Sequence, residues 1–462
     1  MSSCAQQITR SSDSKRSIAS VETGFNVPSG AKAEVCEYPS FGYADLEYDS
    51  KVYESLEKLC DMDFYGLTPD KNTYAICPKV NSTNPGTNVF KIPPGKTQSD
   101  LIALNCRGHK KKAKYKQSIS CSYYPSMIGY FHLSQVIGIG MVPESVYRTM
   151  DRREHKKITA RGIKYTKNGT LINTLWKQYR SWENKSDEQI KSSSKYIRLY
   201  TDDLSQLAGA LNKNPTGEER YREIMGTFDG ERKCNSKERA TCFMKNPASG
   251  FPKVASSSLL NLSDYSFQER VALIQKLKDI TGMVIMDHIM NQQDRFGNQH
   301  YYPYYFVKVN GKIKKYPARK YILNQASKTL THKSKGKVVS FSDVAKVKVL
   351  LMKDNDCGVI KSNVMKRNGV VSEINHLNYK TYQKLLFWQE SLSSQENVSY
   401  LKRHAHLTSA DISSIKKNTN EVVGILKAKC ESGALKFDLS QKLHDQGKVY
   451  QASDFNCELE QN

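Results

Sequence analysis

Three groups of residues in this chain have the types and the order that phosphoryl transfer demands. That reaction asks little covalent chemistry of a protein: a cation holds the phosphates, carboxylates hold a divalent metal, and a base orients the acceptor hydroxyl. Lys91 closes the short β-rich run "NVFK". Asp294, beside Arg295 and four residues before Asn298, lies in "NQQDRFGN" directly after a long apolar-periodic segment. Asp354, Asn355 and Asp356 form "DND" at the end of the apolar run "VLLMKDNDCGV". The first two groups have bland readings, Lys91 as a surface lysine and Asp294 with Arg295 as an exposed ion pair worth about 0 to 1 kcal/mol. The third is harder to dismiss, because acids at the end of a buried strand are costly to desolvate unless a metal or hydrogen-bond donors compensate.

Elements of regular structure must bring these residues together. From Tyr74 to Lys91 two β-rich runs flank a turn containing Asn84, Pro85 and Gly86, which predicts a hairpin. In "SMIGYFHLSQVIG" the spacing of Met127, Phe131, Leu133 and Val136 predicts a buried helix, followed by a strand in "MVPESVYR". Between Ser266 and Met290, Val271, Ile274, Leu277, Ile280, Val284 and Ile289 recur near a 3.6-residue period, so a helix leads into Asp294. Asn310 and Gly311 sit between aromatic and β-branched runs and predict a second hairpin. Residues 378 to 439 read as helices. The lysine-rich "GHKKKAKYKQ" reads as a solvated loop, with a nucleic-acid patch as the alternative. Residues 150–195 look like an elaborated basic connection with Trp176 and Trp182 as anchors, and 215–262 like an insert. The expected organisation is a flexible tail over 1–45, a small β-rich N-lobe over 46–195, a mainly α C-lobe with inserts over 196–445, and a tail over 446–462.

As an ordered set, these motifs resemble a family of atypical secretory-pathway kinases that includes the Golgi casein kinase, the xylose kinase and four-jointed, and more distantly the HipA-like toxin kinases. "NQQDRFGN" resembles their catalytic loop, "LLMKDNDCGV" their metal-binding strand end, and "NVFK" their phosphate-lysine strand. "IGYFHLSQVIGIGMVPESVYR" is similar to their small-lobe helix and the strand after it. The resemblance covers most of residues 75 to 440 in patches and implies an α+β, two-lobed, protein-kinase-like fold. It also implies that Lys91 binds the α- and β-phosphates of ATP, that Asp294 is the catalytic aspartate, and that Asp354 binds Mg²⁺ or Mn²⁺. Asn298 would be a second metal ligand in contact with the nucleotide, although it stands four residues after Asp294 where five is usual and Gln299 takes the fifth place. Asp356 would be an auxiliary ligand.

Two departures from the family pattern stand out. Where its small-lobe helix carries an acid to pair with the lysine, this chain has Met127, whose thioether forms no ion pair, and Glu144 is one candidate substitute. About 60 residues separate Asp294 from Asp354, and a lysine-rich hairpin fills this longer gap.

Composition bounds the partners. The 462 residues are 38% hydrophobic and carry 70 Lys and Arg against 46 Asp and Glu, a formal charge of +24. Such a surface attracts nucleotides, acidic peptides, nucleic acid or anionic membrane. No apolar run approaches the roughly 18 to 20 residues needed to span a bilayer, and the N-terminal stretch lacks the apolar core of a secretory signal. Of eleven cysteines, Cys234 and Cys242 are close enough for a local disulfide, and separate reduced thiols are the alternative. Five N-x-S/T sequons, at Asn81, Asn168, Asn184, Asn261 and Asn397, leave the compartment open. The resemblance implies a secreted or secretory-lumen protein, whereas the odd cysteine count favours a cytoplasmic protein or a translocated bacterial effector. The expected activity is ATP-dependent phosphorylation of Ser or Thr in a protein, the basic surface suiting an acidic substrate. The alternatives are a pseudokinase that activates a partner, a sugar kinase on the same fold, and a nucleic-acid binder resting on charge alone.

Overall fold

The computed structural model describes residues 19–30, 32–119, 121–194, 197–224, 250–295, 299–360, 366, 369–445 and 450–460. They form two lobes, one built on an eight-stranded sheet and the other on helices around a smaller sheet. The first lobe contains β1 (Ser20–Phe25), β2 (Glu34–Pro39), helix α1 (Ser50–Leu59), β3 (Met62–Asp63), β4 (Asn72–Pro78) and β5 (Thr87–Lys91). Helix α2 (Gln98–Ala103), β6 (Lys111–Gln117), α3 (Tyr124–Ile137) and β7 (Ser145–Asp151) follow, then α4 (Arg152–Tyr165), α5 (Leu171–Glu183), α6 (Asp187–Lys191) and β8 (Gln206–Lys213). The strand order is β1-β2-β7-β8-β6-β5-β4-β3, which sets β6 near the middle of the sheet.

Three sequence expectations change here. Residues 20–39, read as part of a flexible tail, form β1 and β2, because Phe25 and Cys36 alternate into the core and Cys36 is joined to Cys60. The buried Glu34 carboxylate is compensated by Arg148 at 3.0 Å and by the backbone N–H of Asp151 at 2.7 Å. The lysine-rich run read as a solvated loop is β6 itself, with Ala113 and Tyr115 fully buried between its lysines. The C-terminal tail also packs down: Cys457 is joined to Cys430, and Phe455 stacks among Tyr379, Phe437 and Tyr450. Residues 152–191 are helices with their own core around Trp176, Tyr179 and Trp182, so both tryptophans are buried anchors.

Helix α3 is buried on nearly every face, with β7 and β8 on one side and the large-lobe helices Phe267–Ile289 and Tyr379–Ser391 on the other. The helix Phe267–Ile289 starts at a capping box in which Ser266 and Glu269 satisfy each other's backbone N–H groups. After it, β10 (Gln299–Val309) pairs antiparallel with the short β9 (Glu219–Arg220) and with β15 (Val344–Met352), and Gln299 lies opposite Met352. Strand β10 starts just beyond Asp294 and β15 ends just before Asp354, so this register delivers both loops to one end of the ladder. The hairpin at Asn310 and Gly311 opens the other end, and its four further strands, β11 (Lys312–Pro317), β12 (Tyr321–Asn324), β13 (Thr329–His332) and β14 (Val338–Ser340), account for the long gap between the two aspartates. The helices Gln395–His404 and Ser409–Glu431 complete the large lobe, and no described helix is long and apolar enough to cross a membrane.

Among the described residues four disulfides join Cys36 to Cys60, Cys77 to Cys106, Cys121 to Cys357, and Cys430 to Cys457. Cys234 and Cys242 lie outside the described residues. Peptide mapping without reductant is expected to recover Cys121 and Cys357 in one cross-linked pair, and their recovery as separate alkylated peptides would contradict the arrangement of the site they border.

Candidate active site

The pleat of β6 turns Lys114 and Lys116 to the face that meets the large lobe, where Asp354 and Asp356 arrive at the end of β15. Lys116 Nζ lies 3.1 Å from Asp354 Oδ1 and 2.9 Å from Asp356 Oδ1, and Lys114 Nζ lies 3.3 Å from Asp354 Oδ1. Ser122 donates to the second Asp356 oxygen at 2.6 Å, and the Tyr123 N–H to the Asp356 carbonyl at 2.6 Å. Lys116 and Asp356 are almost sealed, with side chains 6% and 2% exposed, while Asp354 keeps 23% of its side chain accessible. The disulfide from Cys121 to Cys357 crosses the same junction.

Electrostatics make this cluster basic. Burial opposes ionisation of Asp354, but the ammoniums of Lys116, Lys114 and Lys79 outweigh it and hold the carboxyl well below the usual range. Burial likewise opposes charge on Asp356, and Lys116 again keeps it low. Lys116 shows the reverse balance: burial favours the neutral amine, yet Asp356 and Asp354 raise it above an ordinary lysine. Lys79, at the start of the turn between β4 and β5, is lowered from 10.5 to about 7, first by burial and then by repulsion from Lys116. Three lysines therefore share two carboxylates.

The Asp294 loop is sewn to the Asp354 loop. Gln292 Nε2 donates to the Asp354 carbonyl at 3.3 Å, and the Gln293 N–H to the Cys357 carbonyl at 3.2 Å. The Asp294 N–H is held by Gln292 Oε1 at 3.2 Å. Arg295, read from sequence as half of an exposed pair, is fully buried. Its guanidinium grips Asp287 of the preceding helix at 2.9 Å and 3.0 Å, the Lys353 carbonyl at 3.0 Å and Asn355 Oδ1 at 2.6 Å. Tyr130 of α3 donates to the same Asp287 at 2.7 Å, so one buried network ties both loops to both lobes. Gly358 has no room for a side chain, since a Cβ there would meet Ser126 Oγ at 2.5 Å and the Met290 carbonyl at 2.8 Å. Asp354 adopts a left-handed φ of 55°, which aspartate tolerates better than most residues, and Val359 one of 66°, a strained conformation for a β-branched side chain.

The other sequence candidates lie elsewhere. Lys91 is exposed at the end of β5 and lines an outer cleft that excludes Asp354. Glu144 pairs with Lys213 at 2.9 Å, and Met127 is buried in α3. Gln299 is buried at the start of β10, its amide 3.8 Å from Met283 Sδ. Asn298 lies outside the described residues. The lysines that sequence reasoning missed are Lys79, Lys114 and Lys116; the available signal was strict alternation with Ala113, Tyr115 and Gln117 in the run just before α3. Among the described residues no three His, Cys, Asp or Glu side chains converge as a metal cage.

Neither a protein-family model nor a curated protein matches this sequence. Among solved structures, the crystal structure of the Golgi casein kinase with Mn/ADP bound is similar over 88% of this chain and 80% of that chain, at 11% identity and a TM-score of 0.37. A likeness of that degree says nothing about what this chain binds.

Proposed function

We propose that this chain is an ATP-dependent phosphotransferase acting on Ser or Thr of a protein. The observation that carries the reading is the convergence of Lys79, Lys114 and Lys116 with Asp354 and Asp356, beside a loop that fixes Asp294 at the same end of the β10–β15 ladder. The lysines supply the positive field that nucleotide phosphates need. Asp354, with Asp356 behind it, would hold Mg²⁺ or Mn²⁺, a hard cation that suits one or two carboxylates. Bound there, the metal supplies charge neutralisation between the phosphates. Asp294 accepts the proton of the acceptor hydroxyl as its oxygen bonds to the γ-phosphorus and the bond to the ADP oxygen breaks.

The formal charge of +24 favours an acidic substrate protein. Four disulfides favour an oxidising compartment, a secretory lumen or the extracellular space. The deciding experiment measures γ-phosphate release from ATP with Mn²⁺ or Mg²⁺, alongside equilibrium binding of ADP. Turnover supports the transferase; binding without turnover supports a nucleotide-binding pseudokinase, the reading favoured by the buried Met127. Absence of both would end the nucleotide reading.

Lys79 makes a separate prediction. Between pH 7 and 10.5 the folded protein holds this amine largely neutral while the unfolded chain would protonate it. Phosphates placed beside it raise its pKa, so ADP binding near pH 7.5 is expected to take up a proton, seen as a buffer-dependent calorimetric heat. Lys79→Met should remove that uptake. Identical heats in buffers of different ionisation enthalpy would place the phosphates elsewhere.

A further inference from the structure

Strand β6 carries a second set of lysines on its other side. The ladder between β5 and β6 slips between Val89 and Phe90, which face Ala113 and Lys111, so Lys112 is the extra residue of a β-bulge. The bulge keeps Lys111 on the Asp354 side, where burial, Lys114 and Lys353 lower it to about 8, and groups Lys112 with Lys110 and Lys91. These last three line a cleft of about 450 Å³ that shares no residue with the site described above. Lys51 and Lys58 of α1 and Lys213 at the end of β8 complete its basic wall. Lys213 pairs in register with Ala113, which puts it on the face opposite Lys114 and Lys116.

Six lysines from α1, β5, β6, the segment before β6 and β8 converge on this cleft, and its lining includes a single carboxylate, Asp61, which is already engaged by Lys71 and Asn72. Lys58 and Lys213 have partners in Glu54 and Glu144. Lys51, Lys91, Lys110 and Lys112 form no ion pair among the described residues. Lys112 is lowered by burial and by repulsion from Lys110 and Lys91, so the fold holds these charges together against their mutual repulsion. Concavity and volume match a site for a small molecule better than a track for an extended chain.

We infer that this outer cleft binds a compact, multiply charged oxyanion, through the ammoniums of Lys51, Lys91, Lys110 and Lys112. The phosphates of a small phosphate ester and the carboxylates of a small polycarboxylic acid share that chemistry. The inference is independent of the nucleotide reading, since the two lysine sets lie on opposite faces of the sheet. The test titrates the full chain with tripolyphosphate and with citrate by calorimetry, without divalent metal, at about 150 mM salt, where long-range attraction is largely screened. Wild type is expected to bind at least one anion, and the tighter of the two identifies the source. The double variant Lys91→Ala, Lys112→Ala, both at partly exposed surface positions, should weaken binding about tenfold or more, while Lys333→Ala, in the exposed turn after β13, leaves it unchanged. Equal affinity in wild type and the double variant, or no binding of either anion, overturns the inference. Tighter lysine-dependent binding of polyglutamate than of either small anion would overturn its restriction to a compact ligand.

Discussion

Asp354→Asn is expected to lower ATP turnover by about 10³-fold or more while the protein remains folded. Asparagine is the informative substitution because Asp354 sits at a φ of 55°, a conformation that asparagine adopts readily and alanine does not. The change keeps the shape and the hydrogen bond from the Gln292 side chain to the residue 354 carbonyl, and it removes one negative charge from a cluster of three lysines and two carboxylates. Asp356 still pairs with Lys116, and Lys114, which pairs with Asp354, keeps an amide oxygen there as its acceptor. On the proposed reaction the divalent cation would lose its accessible carboxylate, and turnover would fall for that reason. Initial rates with Mn²⁺ and Mg²⁺, beside urea-unfolding midpoints for both proteins, separate catalysis from stability. A variant as active as wild type would show that the chemistry occurs elsewhere.

Arg295→Leu is expected to cost about 3 to 5 kcal/mol of folding stability, the range for removing one partner of a fully buried ion pair. Its guanidinium satisfies Asp287, the Lys353 carbonyl and Asn355 at once, all away from water. Without it, Asp287 loses the guanidinium at 2.9 Å, and burial already raises its pKa. The double change Asp287→Leu, Arg295→Leu should recover part of the loss, because it removes the stranded charge along with its partner. Denaturant midpoints of the single and double variants test this. A single variant within about 1 kcal/mol of wild type would mean that the network is not a structural tie.

Legibility followed how local each feature is. The helix leading to Asp294 shows in its period and in the Ser266–Glu269 cap, and the Asn310–Gly311 turn shows in two residues. The strand running into "DND" was equally plain. The strand that meets Asp354 is hidden by its own composition: Lys91 has strand-like neighbours, whereas a run holding Lys111, Lys112, Lys114 and Lys116 looks too polar to lie mid-sheet. What makes that strand possible is a pair of acids 238 and 240 residues away, and no local window contains them. Disulfide connectivity was hidden for the same reason. Strand β1, at the sheet edge, and its neighbour β2 are masked because a Ser- and Lys-rich beginning hides their short alternation.

The link between Cys121 and Cys357 has a consequence for biosynthesis. The two cysteines are 236 residues apart, and the acids that neutralise β6 sit next to the later one. During synthesis the first lobe emerges with its inward lysines lacking counter-ions, and it waits for most of the second lobe before β15 can deliver them. The small lobe therefore depends on the second lobe for the counter-ions of β6. Oxidative closure of this bond waits until residue 357 of 462 has been made, so the site forms only after about three quarters of the chain exists.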